Sequence, residues 1–315
     1  QASAAYFNGV DALRPDLLTV AFCTHLHTDH TAGYPDLIFT PWVLERPVPL
    51  KVFGPKGLQH MTDHILQAYE TDIDFRIHGF EKANESGYRV EVTEIESGIV
   101  YRDDLVTVEA FPVSHGTLEC YGYKFTTPDR TIVITGDTAP LDLVAEKSKD
   151  CDILLHEVEY AAGISCREPK WQKYHREVHT LSTDLAGVAK KANPKLLVTY
   201  HRIYHMNVQD NHKNLAAEMA WRDAAILDEI RDAGYDGYVV NGKDLDLRIG
   251  TLPRSFWDEP GDAFYFHLPD WQILPYSALF QNCFFFDINL LRTYNHSITT
   301  LAKQQDFLLF VVTGT

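Results

Sequence analysis

The chain has 315 residues, with 28 Lys and Arg against 44 Asp and Glu, giving a formal net charge of −16. Its 45 % hydrophobic content is that of a globular protein, and no apolar run reaches the roughly 18–20 residues of a membrane-spanning helix, so no membrane partner is expected. So acidic a surface repels phosphate backbones unless positive charge is gathered in one place, and Lys and Arg are scattered here; nucleic acid is therefore disfavoured as a partner. Five cysteines (Cys23, Cys120, Cys151, Cys166, Cys283) form no CxxC pair, and they read as small buried apolar residues. Gln1 stands where Met is usual, which fits a processed, trimmed or incomplete chain and leaves its compartment open.

In chain order, residues 16–24 read as a short buried strand running straight into His25-Leu26-His27-Thr28-Asp29-His30, and a helix is expected after Gly33. Pro47–Pro55 reads as a strand closed by a Gly-Pro turn, and Leu58–Tyr69 has helical periodicity. Short strands follow at Tyr88–Ile95, Val106–Phe111, Tyr121–Thr126 and Thr131–Thr135, then a helix at Leu141–Lys147 and a buried strand at Ile153–Leu155. The spacing predicts a helix from Ser182 or Thr183 to Ala192, capped by a hydroxyl and ended by Pro194. Leu196–Tyr200 is then a strand delivering His201, Ala216–Ala233 a helix, and Gly237–Ile249 a closing hairpin. Alternating strands and helices make the class α/β, in layers. After about Gly250 the sequence becomes aromatic and aperiodic, so residues 1–250 are taken as the working domain and 251–315 as a C-terminal extension.

Four ligand-type side chains within six positions, at the end of a strand, serve no ordinary structural purpose. Neutral imidazole and carboxylate are the donors zinc favours, and a tight turn can aim His25 and His27 at one point and Asp29 and His30 at a neighbouring one. His60 and His64, four apart on a predicted helix, have no general-base Glu after the first and read as a solvated face. His156 reads as a packing or supporting residue, His205 as a pocket or surface residue, and the segment with Trp171 and His175 as a pocket wall.

The HxHxDH run resembles the signature of the metallo-β-lactamase superfamily, and the chain is similar to its ribonuclease Z-like branch well beyond that run. Leu50–Gly57, Val113-Ser114-His115 with Tyr121-Gly122-Tyr123, Thr131–Thr138 ending in Gly-Asp-Thr, Asp152–Glu157, and His179–Ala192 followed by Leu196–His201 each match its elements in order. The resemblance covers about residues 5–250 and implies a four-layer αββα sandwich. It further implies that His25, His27 and His115 hold one metal ion, that Asp29, His30 and His201 hold another, and that Asp137 bridges them. Two Zn²⁺ per chain are expected, with Mn²⁺ or Fe compatible with the same donors. Such a pair would lower the pKa of a shared water that attacks the substrate, with Asp29 beside it; Glu157 would orient His179 to protonate the leaving group.

Two departures from the family pattern shape the expected function. Only 24 residues precede His25, so the usual opening strands are missing or supplied from elsewhere, and the tail Phe310–Thr315 resembles the first of them. An incomplete sheet and an aromatic tail favour a homodimer. His115 and Asp137 are 22 positions apart, which leaves room for two strands and a turn but not for the transfer-RNA arm inserted there in the ribonuclease Z branch. The leading expectation is therefore a metal-dependent hydrolase of a small ester-like substrate: a phosphodiester, aryl sulfate, lactone or β-lactam. The alternatives are an RNA 3′-end endonuclease and a catalytically impaired scaffold.

Overall fold

The computed structural model describes Tyr6, residues 13–206 and 214–243, and the backbone of two short strands at 247–250 and 307–310. A 3-10 turn at Pro15–Leu17 leads into β1 (Val20–Phe22), a single helical turn α1 (Thr28–Thr31) and helix α2 (Tyr34–Val43). Strand β2 (Leu50–Gly54), helices α3 (Leu58–Ala68) and α4 (Glu70–His78), and β3 (Val90–Glu94) complete the first half. The second half runs β4 (Gly98–Arg102), β5 (Thr107–Pro112), β6 (Tyr121–Thr126), β7 (Thr131–Ile134), α5 (Asp142–Lys147), β8 (Ile153–Glu159), α6 (Pro169–Val178), α7 (Ser182–Ala192), β9 (Leu196–Ile203), α8 (Leu215–Asp232) and β10 (Val239–Asn241). Strands β11 (Leu247–Gly250) and β12 (Phe307–Phe310) follow.

Among the described residues the first sheet is β1-β2-β3, all parallel, and the second is β10-β9-β8-β7-β6-β5-β4. In the second, the strands from β10 to β7 are parallel and those from β7 to β4 antiparallel. Alternation along the strands sorts the layers, because successive side chains point to opposite faces. Val20 and Phe22 of β1, Tyr123 and Phe125 of β6, Ile132 and Ile134 of β7, Leu155 of β8 and Val198 of β9 fill the space between the sheets. Ala21, Leu50 and Val52 instead meet Tyr34, Ile38, Trp42 and Leu58 from α2 and α3. On the far side Val133, Leu154 and Leu197 meet Leu185, Ala189, Ile226 and Ile230 from α7 and α8. The result is helix, sheet, sheet, helix, the expected αββα sandwich. Phe22, packed against Phe53, Tyr101, Tyr123 and Phe125, anchors the inter-sheet core, and Phe22→Ala there would cost roughly 3–5 kcal/mol.

Several expectations need correction. The closing hairpin at 237–249 does not form: β10 adds in parallel to β9, and β11 pairs antiparallel with β12. The tail strand thus joins β11 rather than the first sheet, while residues 311–315, which carry most of the resemblance to the missing strand, lie outside the described residues. Most of the 251–315 extension, and Cys283, lie there too. The expected hydroxyl cap of α7 is absent, since Leu181 takes the N-cap position without a side-chain bond; its end is as expected, on Asn193 in the left-handed region before Pro194. The segment containing Trp171 and His175, for which no helix was expected, is helix α6. Among the described residues no helix is long and apolar enough to cross a membrane.

Candidate metal centre

The parallel strands set the site because their carboxyl ends meet at one edge of the sandwich. The chain leaving β1 is clamped between the sheets: Cys23 N donates to Phe53 O at 2.8 Å, Tyr121 N to Thr24 O at 2.9 Å, and the Tyr123 hydroxyl to Cys23 O at 2.7 Å. His25, fully buried, is delivered from that clamp. His27 begins α1, whose single turn swings Asp29 and His30 to the adjacent position, with the Thr31 hydroxyl on His27 O at 2.9 Å. Asp137 follows β7 through Gly136, whose φ of +66° and close approach to Thr24 (3.0 Å from a built Cβ) exclude a side chain.

His201 is placed by a bulge. Tyr200 pairs with Glu157 and Arg202 with Val158, so His201 is the extra residue on β9, and its φ is +44°. Bulges re-aim a side chain at the expense of regular pairing, and a non-glycine residue in the left-handed region stores of order 1–3 kcal/mol. Here the side chain is turned onto the carboxylates: His201 Nε2 lies 3.4 Å from Asp29 Oδ2 and 3.5 Å from Asp137 Oδ2.

Every residue expected at the centre is brought together. The donor atoms of His25, His27 and His115 lie within 4.8 Å of one another, and so do those of Asp29, His30 and His201. Asp137 Oδ2 stands between the groups, 4.0 Å from His25 Nε2 and 3.3 Å from His30 Nε2. His115 Nδ1 donates to Val178 O at 2.8 Å, so its Nε2 carries a lone pair; that atom faces His27 Nδ1 at 3.1 Å. His25 Nε2 and Asp137 Oδ1 are buried without a hydrogen-bond partner. Inward-facing nitrogen lone pairs and an orphaned buried carboxylate oxygen are what a divalent metal would satisfy, and the donor set fits such ions.

The electrostatics differ between the two groups of donors. Burial, then the neighbouring His30, pulls His25 down to about 2, and burial likewise lowers His27 and His115, so these rings are neutral, the ligating form. Burial opposes charge on His201, but the Asp137 and Asp29 carboxylates outweigh it and lift the ring to about 9. Burial also opposes ionisation of Asp137, yet the imidazoles of His201 and His30 hold it well below the usual carboxylate range.

Glu157, fully buried on β8, accepts from Thr138 N at 2.8 Å and from His179 Nδ1 at 3.0 Å. Burial, with Asp137 close by, pushes Glu157 well above its usual range, and burial lowers His179. His179 caps α6 and, with His27, Thr28, Asp29, His115, Asp137, Tyr174, His201, Arg202 and Ile203, lines a cavity of about 470 Å³. Tyr174 belongs to the segment expected as a pocket wall, although Trp171 and His175 are not among the lining residues; Arg202 and Ile203 were not expected, sitting one and two places beyond a predicted strand's delivered ligand. His60 and His64 are exposed on α3, as expected. His205 is neither at the surface nor in this cavity; it is buried against Glu159.

Comparison with known proteins is consistent with this geometry. The family model described as a β-lactamase superfamily domain matches residues 5–202. The chain belongs to the β-lactamase superfamily. Within it, a ribonuclease Z of Bacillus cereus is 28 % identical, with 66 % of this chain and 77 % of that protein aligned. A ribonuclease Z of Mycobacterium bovis is also 28 % identical, over 75 % of this chain and 81 % of its own. The metallo-β-lactamase fold protein YhfI from Bacillus subtilis superposes with a TM-score of 0.51 at 19 % identity, covering 76 % of this chain and 79 % of that one, a likeness of fold. As a ribonuclease Z-like member of the superfamily, the chain is a metal-dependent hydrolase using divalent ions.

Proposed function

We propose that the chain is a dinuclear hydrolase of a small ester-like substrate, with a phosphodiester first among aryl sulfate, lactone and β-lactam. The observation that carries this reading is the Glu157–His179 pair opening on the same cavity as the His and Asp cluster. His25, His27 and His115 would hold one ion and Asp29, His30 and His201 the other, with Asp137 shared between them; zinc suits these donors, and Mn²⁺ or Fe is compatible. Bound there, two cations would supply Lewis acidity and a water of lowered pKa.

The protein's own part is positioning and proton transfer. Glu157 accepts the Nδ1 proton of His179 and fixes the ring so that Nε2 faces the cavity, where it can protonate a departing oxygen. Asp29, half-exposed at the mouth, shares His201 and stands beside the attacking side of the site. The interval between His115 and Asp137 holds β6, β7 and their connections. With that interval so short and the cavity about 470 Å³, a small substrate or a single terminal nucleotide is accommodated.

One observation favours a second reading. The curated relatives named above are ribonucleases Z, and RNA 3′-end cleavage uses the same bond type as a small phosphodiester. Both readings are tested by one panel on the zinc-loaded protein: bis(4-nitrophenyl) phosphate, an aryl sulfate, a lactone, a chromogenic β-lactam and a precursor transfer RNA. Turnover of the aryl phosphodiester exceeding the others supports the first reading, and efficient RNA cleavage, steeply inhibited by salt, replaces it with the second. Purified protein holding well under one metal ion per chain would overturn both in favour of a scaffold. We further assign residues 1–250 to the hydrolase unit and 251–315 to an extension, and we propose a homodimer, which light scattering would test.

A further inference from the structure

Behind the candidate centre lies a second histidine and carboxylate cluster that the proposed chemistry does not use. Glu159, the last residue of β8, is fully buried. Its Oε1 meets His205 Nε2 and lies 3.4 Å from His175 Nδ1, while Arg167 Nε donates to His205 Nδ1 at 3.1 Å. A guanidinium has only donors, so His205 Nδ1 accepts and its Nε2 carries the proton, which points at Glu159. His205 therefore has no lone pair left to face Glu159, and the cluster is not a third metal centre. It is a charge pair, Glu159 and Arg167, joined through a neutral ring; an isolated buried carboxylate would be untenable.

The cluster's location gives it a task. Glu159 N donates to Thr180 O at 2.8 Å and Tyr160 N to Ile203 O at 2.9 Å, so the strand end is tied to the segments just after His179 and His201. His175 occupies the last turn of α6. In that turn His179 N donates to His175 O at 2.8 Å, and Val178 O accepts from His115 Nδ1 at 2.8 Å. The His175 and His179 rings stand 5.7 Å apart. One turn thus sets the backbone of His179 and the tautomer of His115, and the side chain it sends toward β8 is His175. Its Nδ1 makes no hydrogen bond but stands 3.4 Å from the Glu159 carboxylate, an electrostatic contact. The rest of α6 buries little, with Val178 its one buried residue, so packing alone fixes it weakly.

We infer that Glu159 is a positioning residue: through His175 it holds the last turn of α6 so that His179 meets the leaving group. This rests on the reading of His179 as the proton donor. In Glu159→Gln the shape persists and the amide oxygen can stay at the Oε1 position that faces both rings, but the negative charge is lost.

The test compares zinc-loaded wild type, Glu159→Gln, His175→Ala and His179→Ala on two aryl phosphodiesters that differ only in releasing 4-nitrophenolate or the more basic phenolate. Low-field proton NMR follows the His179 Nδ1–H, identified by its absence in His179→Ala. In Glu159→Gln we expect kcat for phenolate release to fall by about 10–100-fold, with little change for nitrophenolate or in either KM, and the His179 resonance to shift or broaden. His175→Ala, altered at a partly buried position outside the sheet, should give the same pattern and serves if Glu159→Gln does not fold. Equal losses on both substrates, or no loss with an unmoved resonance, would overturn the assignment. If His179→Ala itself treats the two substrates alike, the reading of His179 fails instead, whatever Glu159 does.

Discussion

Two clusters of buried histidine and carboxylate lie within a few residues of each other along β8 and β9, and they have opposite chemistry. At the sandwich edge, His25 Nε2 and Asp137 Oδ1 are buried without hydrogen-bond partners, and His115 Nε2 and His27 Nδ1 face each other at 3.1 Å. Around Glu159, Glu159 Oε2 and His175 Nδ1 are likewise without hydrogen-bond partners, but a guanidinium supplies positive charge and both His205 nitrogens are taken up. Residue type does not separate the two. What separates them is whether the nitrogens facing inward hold lone pairs or protons, and that is decided by the partner on the far side of each ring: a carbonyl for His115, an arginine for His205.

The comparison breaks most directly at Asp137. Asp137→Ala removes the carboxylate that stands between the two groups, and it should lower bound zinc by at least one ion per chain, read by metal analysis. Hydrolysis should fall by roughly 10³-fold or more, given the part such ions play in activating water. His27→Ala should behave alike; full activity in either variant would mean that the edge cluster is not the catalytic centre. Next in size, His179→Ala should slow release of a poor leaving group by about 10²–10⁴-fold while zinc content stays at the wild-type level. Glu157→Gln should cost about 10–100-fold in the same assay, because the amide oxygen can still accept from the His179 ring but no longer offers the carboxylate charge that raises the ring's basicity.

A smaller effect comes from His156, which is fully buried and carries its proton poorly: burial lowers it to about 4 from an ordinary 6.5. A histidine depressed in the folded state contributes stability above its unfolded pKa, and that contribution is lost as pH falls from about 6.5 toward 4. The shift corresponds to roughly 3 kcal/mol, lost progressively over that window. Denaturant melts of wild type and His156→Leu at pH 7.5 and pH 4.5 would measure it, since the acid-induced loss should shrink in the variant. An identical pH dependence would show that His156 carries no such penalty.

How much of this was legible depended on whether a segment's signal is local. His25 to His30 announce themselves by density, and His115, Asp137 and His201 by standing after apolar runs that fold as β5, β7 and β9. Strand β4 escaped notice because Gly98–Arg102 lies half in solvent and has no clean alternation. Helix α4 escaped because it buries a single residue, Ile73, and α6 because its short apolar row of Trp171, Tyr174 and Val178 is set among charged residues and buries only Val178. Glu159 did leave a trace, a second carboxylate two places beyond Glu157 in an otherwise apolar strand. Its partners Arg167, His175 and His205 come from three separate segments, however, and only the folded arrangement joins them.

The smallest expected effect sharpens the same distinction from outside both clusters. His60 and His64 sit one turn apart on α3, with ring centroids 4.2 Å apart, and by spacing alone they would make a metal pair. Both are exposed, and His64 Nδ1 is already spent on His60 O at 2.9 Å. With water free to satisfy each remaining nitrogen, no lone pair is held desolvated, and no third donor is fixed by the fold to complete a site. The double variant His60→Ala, His64→Ala should therefore leave zinc content and kcat/KM unchanged and move stability by no more than about 0.5 kcal/mol, as exposed positions do. A drop in zinc stoichiometry in that variant would show that proximity of imidazoles suffices in this protein, and the argument from buried, inward-facing lone pairs would fail at the edge cluster as well.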